Sequence, residues 1–155
     1  MKLQRTYIDT SVIGGCLDPE FAVWSNGLLS DFGAGRLKPV VSSIVTAEIA
    51  NAHEAIQRQY AEFLALEPEI LEVSLEAIAL ADVYQRRRIL TAKYYDDSLH
   101  IAVATVAEVD VLVSWNFRHI VHFNKIRQFN AVNLAMGYKP LQIFSPREVT
   151  TYDAT

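Results

Sequence analysis

Apolar residues follow two different spacings along this chain, and each spacing predicts a different kind of element. Apolar side chains recur at helical spacing in residues 19–35, 54–66, 76–90 and 124–136. Short apolar runs typical of strands lie at residues 3–8, 39–42, 70–73, 109–115 and 141–144. A further helix follows Ser42 or Ser43, either of which can cap it.

Strands that alternate with helices of ten or more residues are typical of a parallel sheet with helices on both faces. The sequence therefore predicts an α/β fold, a three-layer α/β/α sandwich with a central parallel sheet of about four to five strands. The length of 155 residues fits one domain, which we assign to residues 1–149. Residues 150–155 are expected to form a polar, frayed C-terminal tail.

The most apolar helix of the chain opens with two acids, Asp96 and Asp97. From Leu99 onwards, apolar residues recur at helical spacing and the other faces carry no charge, so this helix is expected to be buried on most sides. A buried carboxylate needs an ion pair, hydrogen bonds or a metal. Helix capping would explain one of the two acids and would leave the other without a role.

Two further acids stand at positions that need explanation. Asp9 directly follows the first predicted strand, at the sheet edge where parallel α/β proteins bind ligands, and Gly14 and Gly15 are expected to break the chain soon afterwards. Glu48 interrupts an apolar helix beyond its first turn, where capping does not account for it. The simpler alternatives are a turn or helix cap at Asp9 and a solvent-facing side chain at Glu48.

Composition narrows the class of protein. The single Cys16 excludes an intrachain disulfide, the N-terminal segment lacks the apolar run of a signal peptide, and no segment has the ~20 apolar residues of a membrane span. We therefore expect a cytoplasmic protein that does not enter a membrane. A formal net charge of −4 argues against a protein that coats nucleic acid, but it does not exclude a nuclease whose carboxylates hold a metal.

A shared site for Asp9, Glu48 and Asp97 would need a cation. Carboxylates ~4 Å apart repel by about 4 kcal/mol per pair at an effective dielectric constant of ~20. Carboxylate ligands, with few histidines at ligand spacing, favour Mg²⁺ or Mn²⁺, and such an ion can promote hydrolysis of a phosphodiester. The sequence contains no phosphate-binding P-loop, dinucleotide-binding glycine motif or nucleophile elbow.

Four segments in this order, 7–12, 42–49, 97–102 and 112–120, resemble the PIN-domain nucleases, and within them the VapC-type toxins of toxin–antitoxin pairs. The resemblance extends from Tyr7 to the strand before Pro146. It implies a PIN-like sandwich and a Mg²⁺- or Mn²⁺-dependent ribonuclease whose site acids are Asp9, Glu48 and Asp97. It also implies an RNA substrate, a homodimer and a small antitoxin protein as partner.

Asn116 departs from the family pattern, because many members carry a fourth acid at this position. An asparagine can orient a metal-bound water or bind through its carbonyl oxygen, but it cannot act as a base. Asp96 adjoins the expected site and is a candidate to replace part of the missing charge. Thr10 and Ser11 are expected to support Asp9 or a water molecule from outside the ligand shell.

Substrate contacts are expected just beyond Asn116. Cationic or histidine side chains that can reach the RNA backbone are Arg118, His119, His122, Lys125 and Arg127. Trp115 or Phe117 can stack on a base, although core packing is the simpler role for an aromatic residue. His100 lies near the same helix start, either as a hydrogen-bonded helix residue or close to the site.

Two other functions remain open from the sequence. Because Asn116 replaces an acid, the chain could be a non-catalytic PIN-fold binding module. A phosphatase-like enzyme with Asp9 as nucleophile is disfavoured by Ser11, which stands where such enzymes need a second aspartate. For association, Phe21, Trp24 and Leu28 are predicted to offer apolar surface unless they belong to the core.

Overall fold

The computed structural model describes residues 2–153. Within them, the strands are β1 (Arg5–Ile8), β2 (Lys38–Ser42), β3 (Glu69–Leu71), β4 (Val111–Val113) and β5 (Ile143–Phe144). The helices are α1 (Thr10–Gly15), α2 (Ala22–Gly33), α3 (Ser43–Ile49), α4 (Glu54–Leu64), α5 (Leu75–Arg86), α6 (Tyr95–Val106), α7 (Phe123–Ala135) and α8 (Pro146–Val149). A 3₁₀ turn, Ala92–Tyr94, precedes α6.

The five strands form one sheet in the order β3-β2-β1-β4-β5, and every neighbouring pair is parallel. The predicted α/β/α sandwich is therefore confirmed, with five strands in its sheet. From β1 the chain moves outwards to β2 and β3, and it then returns to β4 and β5 on the other side of β1. This reversal opens a crevice at the carboxyl end of β1, where α/β proteins bind ligands.

Alternate residues of the strands serve two separate cores. Tyr7 of β1 belongs to the core covered by α5, α6 and α7, whereas Ile8 belongs to the core covered by α1 to α4. Val40 and Val41 of β2 divide in the same way. Helices thus cover both faces of the sheet, so apolar side chains on both faces of its strands are buried.

Helix α6 is buried along most of its length, as predicted, and it packs closely against α5. Its N-cap residue is Tyr94, so the capping explanation of Asp96 and Asp97 is wrong. Both acids lie in the first turn, where their charge favours the positive end of the helix dipole.

Two predicted boundaries differ from the structure. Gly14 and Gly15 are the last two residues of helix α1, so they end this helix from within it instead of forming a break outside it. Gly15 also faces neighbours that exclude a side chain. A Cβ atom there would lie 2.6 Å from both Ser25 Oγ and Trp115 Nε1. Helix α5 ends at Arg86 instead of residue 90, and Arg88 has a left-handed φ of 56° that turns the chain away from the helix axis.

The C-terminal segment is held more firmly than the sequence suggests. Helix α8, which we did not predict, begins with a capping box between Ser145 and Glu148. Beyond it, the hydroxyl groups of Thr150 and Thr151 donate to the buried carboxylate of Asp31 on α2, so fraying does not start at residue 150. Residues 154–155 of the predicted tail lie outside the described residues. No helix within 2–153 has the length and apolar character required to cross a membrane.

Candidate functional site

The predicted site residues lie around the carboxyl end of β1, where hydrogen bonds link elements that are distant in sequence. Asp9 follows β1, Glu48 lies on α3, Asp97 lies in the first turn of α6, and Asn116 follows β4. Thr10, next to Asp9, donates to Glu48 Oε1 over 3.1 Å, and Asn116 Nδ2 lies 3.3 Å from Asp97 Oδ2. The sheet topology therefore brings all four residues to one edge.

Asp9 is a buried carboxylate, only 4% exposed, held by two serine hydroxyls. Ser11 Oγ donates to Oδ1 and Ser114 Oγ donates to Oδ2, both over 2.6 Å. Burial, together with the charge of Glu48, raises the pKa of Asp9, although the His100 charge and the two hydroxyls act in the opposite direction. Asp9 occupies the N-cap position of α1, as the capping alternative expects, but its side chain makes no cap hydrogen bond and is held by the two serines instead.

Glu48 is solvent-exposed, as the simpler alternative expects, but its carboxylate also has a fixed partner. Its side chain is 34% exposed, and Oε1 lies 2.6 Å from His100 Nε2. Desolvation opposes ionisation, but the hydrogen bond and charge of His100 and the hydroxyl of Thr10 outweigh it, so the pKa of Glu48 is lowered. Glu48 is therefore an ionised group with a fixed partner at the edge of the crevice.

His100 connects Glu48 to a buried chain of hydrogen bonds. Its Nδ1 lies 2.6 Å from the Tyr7 hydroxyl, which lies 2.7 Å from Ser42 Oγ. Ser42 Oγ also accepts the backbone N–H of Ile44 as the cap of α3, as the sequence predicted. Desolvation lowers the pKa of His100, but the hydrogen bond of Glu48 and the charges of Asp9, Glu48 and Asp97 outweigh it, so the net shift is upwards.

Either protonation state of His100 keeps Glu48 in place. Since Glu48 is ionised, Nε2 must carry a proton and donate to it in both states. In the neutral imidazole, Nδ1 accepts from the Tyr7 hydroxyl, which in turn accepts from Ser42. In the imidazolium, Nδ1–H donates to Tyr7 and the Tyr7 hydroxyl donates to Ser42. These hydrogen bonds thus orient the ionised Glu48 carboxylate in both protonation states of His100.

Asn116 orients Asp97 instead of offering a free carbonyl oxygen. Its Oδ1 accepts the backbone N–H groups of Arg118 and His119 at 3.2 and 2.9 Å, which closes the turn after β4. Its amide nitrogen and His119 Nδ1 both bond to Asp97 Oδ2, at 3.3 and 3.0 Å. Of the two roles expected for Asn116, ligation through its carbonyl would require this turn to open, and orientation of a metal-bound water is not tested.

The remaining predicted residues are more peripheral. Asp96 is exposed and lines the same shallow groove as Glu48. Trp115 is only 7% exposed and stacks on Phe21 with ring centroids 4.1 Å apart, so it belongs to the core and is not a base-stacking residue. Leu28 is fully buried, which removes it from the apolar surface predicted for association, whereas Phe21 and Trp24 are half-buried beside Trp115.

Three residues of the site were not predicted: Tyr7, Ser42 as a partner of Tyr7, and Ser114. Ser114 could have been found, because it directly follows a predicted strand at the same edge as Asp9. Tyr7 had no such signal. A tyrosine in an apolar strand is typical of core packing, and only the positions of α3 and α6 give its hydroxyl a function.

The donor chemistry suits a hard divalent cation, but the residues are not gathered into a ready ligand cluster. Across residues 2–153, no three histidine, cysteine or acidic side chains lie close enough together to hold a metal ion. Thr10 and His100 bond to Oε1 of Glu48, and Asn116 and His119 bond to Oδ2 of Asp97. These bonds leave Oε2 of Glu48 and Oδ1 of Asp97 as acceptors. Carboxylate oxygens of this kind fit Mg²⁺ or Mn²⁺.

Comparison with solved structures identifies similar folds among toxin–antitoxin proteins. The chain is similar to VapBC2 from Rickettsia felis, solved bound to a DNA fragment from its promoter, at 16% identity and a TM-score of 0.59, covering 91% of this chain and 98% of that one. It is also similar to DNA-bound VapBC from Salmonella typhimurium, at 15% identity and a TM-score of 0.57, covering 93% of this chain and 99% of that one.

A third similar structure is FitAcB from Neisseria gonorrhoeae, at 18% identity and a TM-score of 0.56, covering 93% of this chain and 99% of that one. No family model and no curated protein matches the sequence. At such low identity the likeness concerns the fold, and it confirms the predicted PIN-like three-layer architecture.

Proposed function

We propose that this protein is a Mg²⁺- or Mn²⁺-dependent endoribonuclease that acts as the toxin of a toxin–antitoxin pair. The observation that carries the proposal is the position of Asp9, Glu48 and Asp97. These carboxylates come from three separate elements at the ligand-binding edge of the sheet, and all three charges act on the buried His100. A structural role alone does not require three acids around one imidazole.

In this proposal Asp9, Glu48 and Asp97 would hold the cation, and other residues of the chain fix their positions. Ser11 and Ser114 hold both oxygens of Asp9, His100 holds Glu48, and Asn116 with His119 holds Asp97. A bound Mg²⁺ or Mn²⁺ would polarise the phosphodiester and lower the pKa of an attacking water molecule. Fixed carboxylates reduce the reorganisation that cleavage would otherwise need.

The partner proposal rests on similar folds. The solved structures most relevant here are described as VapBC and FitAcB proteins, and one further neighbour, from Klebsiella pneumoniae, is described as a toxin–antitoxin complex. We therefore propose a small antitoxin protein and a homodimer for this chain. Light scattering of the purified protein at micromolar concentration, combined with co-purification, tests both. A monomeric mass with no recovered partner would contradict this part of the proposal.

Cleavage is tested with structured RNA and Mn²⁺, with and without EDTA. We expect cleavage by the wild type only when the metal is present. Asp97→Asn should abolish it, because a neutral amide is a poor ligand for a hard cation. The matched control is Asp82→Asn, an identical change at an exposed position of α5, which should cleave normally. Cleavage retained by Asp97→Asn would remove Asp97 from the site.

Expression in cells provides a second test. We expect the isolated chain to slow growth through RNA cleavage, and Glu48→Gln to relieve this effect while the protein stays folded. Circular dichroism of the purified variant establishes folding. Equal growth inhibition by wild type and Glu48→Gln would exclude Glu48 from the chemistry.

Asn116 favours a second candidate, a PIN-fold module that binds RNA without cleaving it. Its side chain is neutral, and its carbonyl oxygen is already engaged by two backbone N–H groups. A module of this kind would bind RNA equally well in EDTA and in Mn²⁺ and would leave it intact. The cleavage assay above therefore separates the two candidates.

A further inference from the structure

A pocket of about 650 Å³ adjoins the carboxylate site, and the proposed chemistry does not use it. It lies between the end of α5, the 3₁₀ turn before α6, the turn after β4 and the start of α7. His119 lines this pocket and also bonds to Asp97 over 3.0 Å. A ligand in the pocket would therefore contact a residue that touches the site.

The charge of the pocket is opposite to that of the molecule. Arg88, Arg118 and Lys125 line it, and its described lining residues include no aspartate or glutamate. The whole chain, by contrast, carries a formal net charge of −4. Three cations without an acid in one concave surface favour an anionic ligand.

Local contacts fix two of the three cations of this pocket. The Arg118 guanidinium lies over the Tyr94 ring, with Cζ 5.8 Å from the ring centroid. Lys125 Nζ donates to the Ile89 carbonyl over 2.7 Å, which leaves two of its protons for a ligand. Arg88 lies just beyond the end of α5, has a left-handed backbone and is exposed in the pocket wall. Two of the three positive charges, those of Arg118 and Lys125, are thus held in place before a ligand binds.

Apart from Gln85 and Thr91, the rest of the wall is apolar and aromatic. Ile89, Leu90 and Ala92 contribute aliphatic surface, and the rings of Tyr94 and His119 pack together with centroids 4.0 Å apart. Apolar and aromatic walls with a few converging charges are typical of sites for nucleotides. Inorganic phosphate alone would leave the aliphatic and aromatic surface unused.

We propose that this pocket binds one unpaired nucleotide of the RNA strand, with its phosphate on Arg88 and Arg118 and its base against Tyr94. The nucleotide must be unpaired, because a duplex keeps its bases stacked inside and away from the protein. Such a contact places the adjoining phosphodiester near Asp97. The assignment of the strand as RNA rests on the proposed function. Tyr94 thereby takes the stacking role that the buried Trp115 cannot fill.

The electrostatic part is tested by fluorescence anisotropy of a labelled single-stranded RNA oligonucleotide in EDTA. Arg88→Gln and Arg118→Gln should each weaken binding by about threefold to tenfold, and added salt should reduce the difference. Arg87→Gln is the matched control, because Arg87 is exposed, adjacent to Arg88 and outside the pocket. Its affinity should equal that of the wild type.

Stacking is tested with the same oligonucleotide carrying 2-aminopurine, whose fluorescence falls when it stacks on an aromatic ring. We expect quenching by the wild type and little quenching by Tyr94→Leu. Tyr152→Leu, at an exposed tyrosine outside the pocket, should quench like the wild type. Thermal melts of every variant verify that it is folded.

Three results would overturn the pocket assignment: wild-type affinity in both arginine variants, equal affinity for duplex and single-stranded RNA, or displacement of the RNA by polyglutamate at comparable concentration. The last would identify a site for an acidic peptide.

Binding in EDTA does not depend on cleavage, so the two proposals can fail separately. Pocket variants that bind normally while the wild type cleaves RNA would exclude only the pocket. RNA bound as expected but never cleaved would exclude only the nuclease.

Discussion

At the scale of single residues, Asp9 combines a candidate ligand role with a structural one. The backbone N–H of Trp115 donates to Ser11 Oγ, and that of Asn116 donates to Ser114 Oγ. Both hydroxyls then donate to Asp9. One buried carboxylate therefore holds the turn after β4 against the start of α1, and its free lone pairs remain available for a cation.

Removal of the Tyr7 hydroxyl tests the series of hydrogen bonds that positions Glu48. Tyr7→Phe should lower the free energy of unfolding by about 1–3 kcal/mol, because His100 Nδ1 and Ser42 each lose a buried partner. It should also reduce the rise in melting temperature that Mn²⁺ produces, since Glu48 is less firmly held. Thermal melts in EDTA and in Mn²⁺ measure both effects.

Tyr84→Phe is the matched control for that experiment. Tyr84 is equally buried, but its hydroxyl donates to Asn133, away from the site. We expect a similar loss of stability and an unchanged response to Mn²⁺. If the two variants respond equally to Mn²⁺, the hydroxyl of Tyr7 contributes only to folding.

At the scale of elements, helix α1 carries the connection between the site and the aromatic residues behind it. Ser25 Oγ on α2 accepts from Trp115 Nε1 over 2.8 Å and donates to the Val12 carbonyl over 2.9 Å. Gly15 packs directly against this contact, whereas the neighbouring Gly14 has no atom within 4 Å of a Cβ position. Two adjacent glycines of one helix therefore have different reasons to lack a side chain.

Alanine substitutions separate these reasons. Gly15→Ala should destabilise the protein by about 1–3 kcal/mol and shift Trp115 fluorescence, because the methyl group overlaps Ser25 and the indole ring. Gly14→Ala should stabilise it by about 0.5–1 kcal/mol through helix propensity. Urea unfolding of both variants provides the measurement. Equal stability of the two would mean that the contact around Gly15 relaxes without cost.

The link between α2 and the C-terminal segment depends on the charge of Asp31. Burial acts against its ionisation, but hydrogen bonds from Thr151, Arg36 and Thr150 outweigh burial and lower the pKa of Asp31. A group whose pKa is lower in the folded protein contributes its stability above the unfolded pKa of ~3.9, and that contribution is lost as pH falls through the folded pKa.

Asp31→Asn should therefore destabilise the protein by about 1–3 kcal/mol at neutral pH, with a difference from wild type that shrinks as the pH falls below ~4. Urea unfolding of wild type and variant between pH 7 and pH 3 measures the difference. Asp82→Asn, at an exposed position, should be neutral across the range. A constant difference between wild type and Asp31→Asn would contradict the proposed ionised contact.

At the scale of the whole molecule, the carboxylate site should couple metal binding to folding. A cation that binds only the folded state stabilises it by about 2.7 kcal/mol at a concentration of 100 times Kd. We expect Mn²⁺ to raise the melting temperature of the wild type, and the rise to shrink in Asp97→Asn. A wild-type melting temperature that is unchanged by both Mg²⁺ and Mn²⁺ would argue against the whole metal site.

Local sequence patterns determined the architecture and much of the candidate site. The alternation of strands and helices depends on short-range periodicity, and the position of Asp9 at the sheet edge follows from its place directly after a strand. The burial of α6 was visible in its lack of charge. Four motifs in order also gave the resemblance to PIN domains. The sheet topology confirms the fold that this resemblance implied.

Only the tertiary structure decided how side chains far apart in sequence meet. Tyr7, Ser42 and His100 each look like ordinary strand, cap or helix residues, and the hydrogen bonds that join them depend on the packing of three elements. Arg88 and Arg118 come together in one pocket because α5 ends early. Periodicity specifies which face of an element is buried, but the partners on that face are set by long-range packing, which no local pattern contains.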